Sequence, residues 1–201
     1  MEILTLATLL ALSFYVLKSR EQKTRIAMLG KFLGRYQIEK MMETLTQGYA
    51  RALGEADAER QKQVLGLLNT TELALSEQFS RFSDDFSAVD AMDSRVSKIG
   101  FAIPYADRIF PATTFDLRKA LSIHARGIEQ AVAQGTGQTP KGRAFNISAE
   151  FFLMQHTCHW FCRSKTVASA RVLARHKTTY AQLVAAVSPG TRRAYMALTS
   201  A

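Results

Sequence analysis

Fifteen consecutive residues near the start of the chain, Ile3 to Leu17 (ILTLATLLALSFYVL), carry no charge and are rich in leucine. As a helix from Met1 this stretch extends roughly 25 Å, short for a bilayer core but sufficient when Glu2 sits at one interface and Lys18 and Arg20 snorkel at the other. A cleaved signal peptide has positive charge before its apolar run and small residues after it. Here Glu2 precedes the run and Phe14-Tyr15-Val16-Leu17 closes it, so the pattern predicts an uncleaved anchor, with a buried or interfacial N-terminal helix as the alternative.

The apolar period then changes to that of amphipathic helices. Ile26, Leu29, Leu33 and Tyr36 recur at helical spacing with Phe32 widening the stripe, and Lys23, Lys31, Arg35 and Lys40 occupy other faces. This predicts a basic juxtamembrane helix that runs on through Met41, Met42, Leu45 and Tyr49 toward Gly54. Between Ala56 and Ser97 there is no proline, and Val64, Leu68, Thr71, Leu75, Phe79, Phe82, Phe86 and Val89 follow one another at steps of three or four. That is a nearly heptad seam, carried by one long helix or two nearly collinear ones, and its three phenylalanines favour an intramolecular bundle over a free coiled-coil dimer.

Gly100, Pro104 and Pro111 interrupt the pattern, yet Phe101, Ile103, Tyr105, Ile109 and Phe110 make this connection too apolar to be left loose. Thr113 with Asp116 is the expected capping box of a helix whose face is Leu117, Leu121, His124, Ile128 and Ala131 or Val132. Gln134 to Gly142 (QGTGQTPKG) reads as a polar turn; its glycines and Lys141 fit neither a phosphate-binding loop nor a dinucleotide fingerprint. A further helix is predicted from Ser148. Val167, Ala170, Leu173 and Ala174 make the next stripe, Thr178 or Thr179 caps a helix through Tyr180, Leu183, Val184 and Val187, and Ser188-Pro189 starts a last short one. No segment shows convincing strand alternation.

Charge changes the picture in one respect. Residues 1 to 100 hold 13 bases and 13 acids, residues 101 to 201 hold 13 and 4, so the formal excess of +9 lies in the second half. The local order is basic, acidic, basic: residues 18 to 40 carry seven bases and two acids, residues 41 to 100 six and ten. Such a pattern suits anionic lipid, nucleic acid or docking of the acidic segment on the basic one. The bases that follow the apolar run place the body on the cytoplasmic side by the positive-inside rule. A cytoplasmic body makes the sequons at Asn69 and Asn146 incidental. Asp84, Asp85, Asp90 and Asp93 read as a solvated face.

One short segment concentrates reactive side chains. His156-Thr157-Cys158-His159-Trp160-Phe161-Cys162 gathers two of the four histidines, both cysteines and the only tryptophan. One helical turn separates Cys158 from Cys162, so these two, with His159 or His156, are candidate zinc ligands if His124 and His176 arrive from elsewhere. The aromatic neighbours favour a core helix with buried, protonated thiols instead, and no cofactor is assigned. No esterase elbow, zincin pair or di-iron signature occurs.

The sequence therefore predicts an all-α protein: a membrane anchor at 1–20, a basic amphipathic helix at 21–54 and a helical bundle at 55–201. The expected role is a membrane-anchored cytoplasmic interaction or assembly protein without catalytic activity, single-pass in the inner (plasma) membrane with its N-terminus outside. Lys18, Arg20, Lys23, Arg25, Lys31 and Arg35 are the candidate lipid contacts, and a protein partner or a second copy is expected through the helices. A metal- or thiol-dependent protein centred on His156 to Cys162 and a membrane-tethered nucleic-acid binder are the alternatives.

Overall fold

The computed structural model describes residues 2–133 and 139–200. Among them the chain is nearly all-α. Helix α1 runs without a break over Glu2–Leu33, joining the apolar run and the basic stretch into one rod of about 48 Å. It ends at Gly34 instead of continuing toward Gly54: residues 34–37 turn, and α2 occupies Ile38–Gly54. Partners across the turn account for the difference. Arg35 and Tyr36 both reach Asp85, at 3.2 and 2.9 Å, and the Gln37 amide donates to Gln78 Oε1 at 2.8 Å. The turn lays Ile38, Met42, Leu45, Tyr49 and Ala52 of α2 on the core. A continuous helix would carry them away from it.

Helix α3 (Ala58–Ser87) starts where Asp57 accepts the Glu59 amide at 2.9 Å. It is a single helix, and Leu68, Leu75, Phe79, Phe82 and Phe86 of the predicted seam are buried against the chain's own helices. Phe86 meets Phe32 edge-on at 5.3 Å and Phe161 at 6.4 Å, while Tyr36 meets Phe82 at 6.2 Å. The aromatic seam thus joins α1, α3 and the helix that carries Phe161. At the α2–α3 crossing Gly48 permits a close approach, since a Cβ there would lie 2.6 Å from Leu68.

Two three-residue strands, β1 (Arg95–Ser97) and β2 (Thr114–Asp116), pair antiparallel with Val96 opposite Phe115. They are too short for alternation to show in the sequence, and they depend on tertiary contacts. Phe115 packs edge-on against Trp160 at 5.0 Å, and the Trp160 indole donates to the Ser97 carbonyl at 2.8 Å. The 98–113 connection between them holds a one-turn helix, α4 (Ala106–Ile109), and a 3-10 turn at Pro111–Thr113. Because Thr113 belongs to that turn, the expected capping box does not form; Asp116 alone accepts the Arg118 amide, at 2.8 Å, at the start of α5 (Leu117–Ala133).

Helix α5 buries Leu117, Leu121, His124, Ile128 and Val132, the predicted face. Residues 134–138 of the predicted turn lie outside the described residues. The rest of that segment is already helical, because Thr139 caps the Gly142 amide and α6 spans Pro140–Cys162. Three shorter helices complete the body: α7 (Lys165–His176), α8 (Tyr180–Ala186) and α9 (Pro189–Thr199). Thr179 and Gln182 form a capping box on α8, and Ser188 accepts the Thr191 amide on α9. Helix α7 is turned differently from the expectation. It buries Ala168 and Val172, leaving Val167, Ala170, Leu173 and Ala174 exposed. One main core runs from Leu29 to Ala168, shared by residues on both sides of Gly54, and a smaller cluster joins α5, α6 and α7 to α8 and α9.

Candidate functional site

Every residue from Glu2 to Leu17 is exposed, whereas Gln22 and Leu29 on the same helix are buried. The first half of α1 therefore leaves the body as an exposed, largely apolar rod, about 24 Å long, and this helix is long and apolar enough to span a membrane.

Where α1 leaves the body, polar side chains hold it. Arg25 lies 2.9 Å from Glu21 and 2.9 Å from Asp107, with little of either pair in solvent. Its other nitrogen donates to the carbonyls of Arg95, at 3.3 Å, and of Phe161, at 3.2 Å, so a cation meets the unpaired carbonyls at the C-terminal end of α6. Glu21 also accepts the Tyr105 amide at 2.8 Å, at a residue with left-handed φ of 53°, and Arg163 donates to Gln22 at 2.5 Å. The crevice among Lys18, Gln22, Phe101 and Trp160 measures about 30 Å³, room for a water-sized molecule and no larger ligand.

The six candidate lipid contacts separate accordingly. Arg20, Lys23 and Lys31 are exposed and Lys18 is half-buried at the crevice. Arg25 faces inward. Arg35 pairs with Asp85 and lies over the Phe32 ring at 5.3 Å. Among the acids taken as a solvated face, Asp85 binds Arg35 and Tyr36 and Asp90 accepts the Met92 amide at 2.7 Å.

The His156 to Cys162 segment forms the last turns of α6, and its side chains diverge. His156 is fully buried, stacked on Tyr180 at 4.5 Å and hydrogen-bonded to Ser169 at 3.0 Å. His124 reaches Thr157 at 2.9 Å, and Thr157 meets the Tyr195 hydroxyl at 3.0 Å. His176 stacks on Phe152 at 3.7 Å and bonds Gln155 at 3.1 Å. Cys158 lies against Met154, and Cys162 is buried. Among the described residues no group of three or more His, Cys, Asp or Glu side chains is placed to hold a metal ion. Burial dominates the protonation of all these groups. It pushes His124 and His156 down to about 3 and His159 to about 4, and it raises the Cys162 thiol to about 11 and the Cys158 thiol further. Neutral imidazoles and protonated thiols suit packing and hydrogen bonding, and lack the thiolate that metal ligation or nucleophilic attack uses.

His159 and His176 open instead onto a cleft of about 490 Å³ between α2 and α7. Arg171 and Arg175 line it from α7 and Glu39, Lys40 and Glu43 from α2, a juxtaposition of distant segments that no local motif announces. A second groove, about 500 Å³, is lined by Phe145, Phe152, Leu183 and Ala186. No protein-family model matches the chain, and no curated protein or solved structure is detectably similar to it.

Proposed function

We propose that this chain is a single-pass membrane protein whose helical body works as an interaction or assembly module and not as a catalyst. One observation carries the reading: the half of a continuous helix that holds the uncharged run Ile3 to Leu17 is exposed throughout, while residues of its other half are built into the core. Leaving that rod in water exposes a contiguous apolar surface, and lipid removes the penalty. The bases that follow Leu17 support, by the positive-inside rule, a cytoplasmic body on an inner-membrane anchor. Contact in place of catalysis is supported by the dispersed, neutral histidines and thiols, the water-sized crevice at the α1 exit and the exposed face of α7 next to the charged cleft shared with α2. A protein partner or a second copy of the chain is the proposed occupant of that face.

Fractionation tests the reading. The full chain is expected in the membrane pellet after carbonate washing, and a chain beginning at Glu21 is expected in the supernatant or held only by salt-sensitive attraction. Release of the full chain by carbonate alone removes the anchor. For the module, Leu173→Lys is expected to abolish co-purification of partner protein from solubilised membranes without changing the melting temperature.

A further inference from the structure

The end of the body from which α1 leaves combines exposed apolar residues with unpaired bases. Phe101, on the 98–113 connection, lines the same crevice as Lys18, the first base after the uncharged run. It is 75% exposed, and Ile109 and Phe110 in the same connection are 59% and 45% exposed. The connection is tied down, not loose. The Gly100 carbonyl accepts the Thr166 hydroxyl at 2.8 Å, the Ser97 carbonyl accepts Trp160, and the Tyr105 amide is held by Glu21 on α1 itself. Gly100 and Tyr105 therefore fix the segment that presents Phe101 outward.

Bases predominate around this end. Lys18 and Arg163 line the crevice beside Phe101, Arg20 lines the adjoining hollow together with Arg108 and Asp93, and the acids Glu21 and Asp107 both lie against Arg25. Arg163 donates to the neutral side-chain oxygen of Gln22, a contact that does not offset its charge.

We infer that this end of the body is a second membrane contact: Phe101 enters the interfacial layer beside α1 while Lys18, Arg20 and Arg163 face anionic lipid head groups. The inference rests on the anchor reading and goes beyond it, since a span on a free body requires no seat. Two features on the protein select the bilayer as the occupant. Phe101 stands exposed at the crevice where Lys18 ends the proposed span, and the basic collar complements the negative surface of a cytoplasmic leaflet. Aromatic rings beside bases suit the interface, where an apolar body meets charged head groups.

The test uses the full chain reconstituted in vesicles of phosphatidylcholine with phosphatidylglycerol, the acyl chains brominated to quench nearby indoles. Phe101→Trp is compared with Leu67→Trp, a 79%-exposed position on α3 some 28 Å along that helix from Phe86, against the background of the buried Trp160. The indole at 101 is expected to lose most of its fluorescence and the one at 67 almost none, with weaker quenching at 101 in pure phosphatidylcholine or high salt. An unquenched indole at 101 in a chain that resists carbonate overturns the seat and leaves the anchor standing. Equal quenching at both positions, or indifference to lipid charge, also overturns it. A chain released by carbonate overturns both.

Discussion

Arg25 of α1 and Asp107 of α4 lie 2.9 Å apart at the end of the body from which the apolar half of α1 departs. The contact is an ion pair without hydrogen-bond alignment, because Asp107 Oδ1 has no hydrogen-bond partner of its own. Its importance lies in position: side-chain exposures are 14% and 7%, and the same guanidinium also satisfies two carbonyls. The pair therefore couples the helix that leaves the body to the connection that carries Phe101.

Removing one partner strands the other charge in a poorly solvated place. Arg25→Met is expected to destabilise the body by about 3 to 5 kcal/mol, the usual cost of breaking a buried pair from one side. The double substitution with Asp107→Leu should recover part of that loss. Denaturant titration of the four proteins in one detergent measures the coupling, and strict additivity would show that the pair is not buried in solution.

Phe82 sits at 0% exposure between Phe79, Phe86 and Tyr36. Phe82→Ala should cost about 3 to 5 kcal/mol. Leu67→Ala, on the exposed side of the same helix, should stay within about 0.5 kcal/mol. Similar melting temperatures for the two variants would place the seam at a surface and not in the core.

Both thiols are raised by burial, Cys162 to about 11. In the native protein at pH 7.5 they are expected to react with a thiol reagent far more slowly than after unfolding. The double substitution Cys158→Ala with Cys162→Ala should leave membrane location unchanged and cost a modest amount of stability. Stoichiometric zinc that disappears with that double substitution, together with the fold, would instead establish a metal centre.

Acid sensitivity follows from His124 and His156. Burial holds both near 3 in the folded protein, against about 6.5 when unfolded, so below pH 6.5 the unfolded state binds protons that the native state does not. Stability is expected to fall from pH 6.5 toward pH 3, each histidine contributing on the order of 1.4 kcal/mol per pH unit. His156→Phe, which keeps a ring against Tyr180, should reduce that slope. Glu150 acts in the opposite sense: burial raises its carboxyl, so its contribution weakens as pH rises through the folded value, and Glu150→Gln should remove that loss from the profile. Denaturation midpoints between pH 5 and pH 8 test both.

What the sequence determined by itself is what depends on neighbours three and four residues apart. The uncharged run of α1, the α3 seam, the buried face of α5 and the caps at Thr179 and Ser188 are local patterns, and propensity and side-chain period are local quantities. Tertiary structure decided the rest. The break at Gly34 depends on Asp85 and Gln78 waiting on α3, and the β1–β2 pair depends on Trp160. The rotation of α7 that exposes Val167 and Leu173 depends on which face finds the core. The same holds for candidate chemistry: proximity in sequence put His156, Cys158, His159 and Cys162 together, but successive positions on a helix point about 100° apart. Packing set His156 against Tyr180 and Ser169 and left His159 at the cleft lined by α2 and α7, while Arg25, expected as a lipid contact, found Glu21, Asp107 and the end of α6. Long-range pairing of this kind is set by the whole fold, and no short window of sequence contains it.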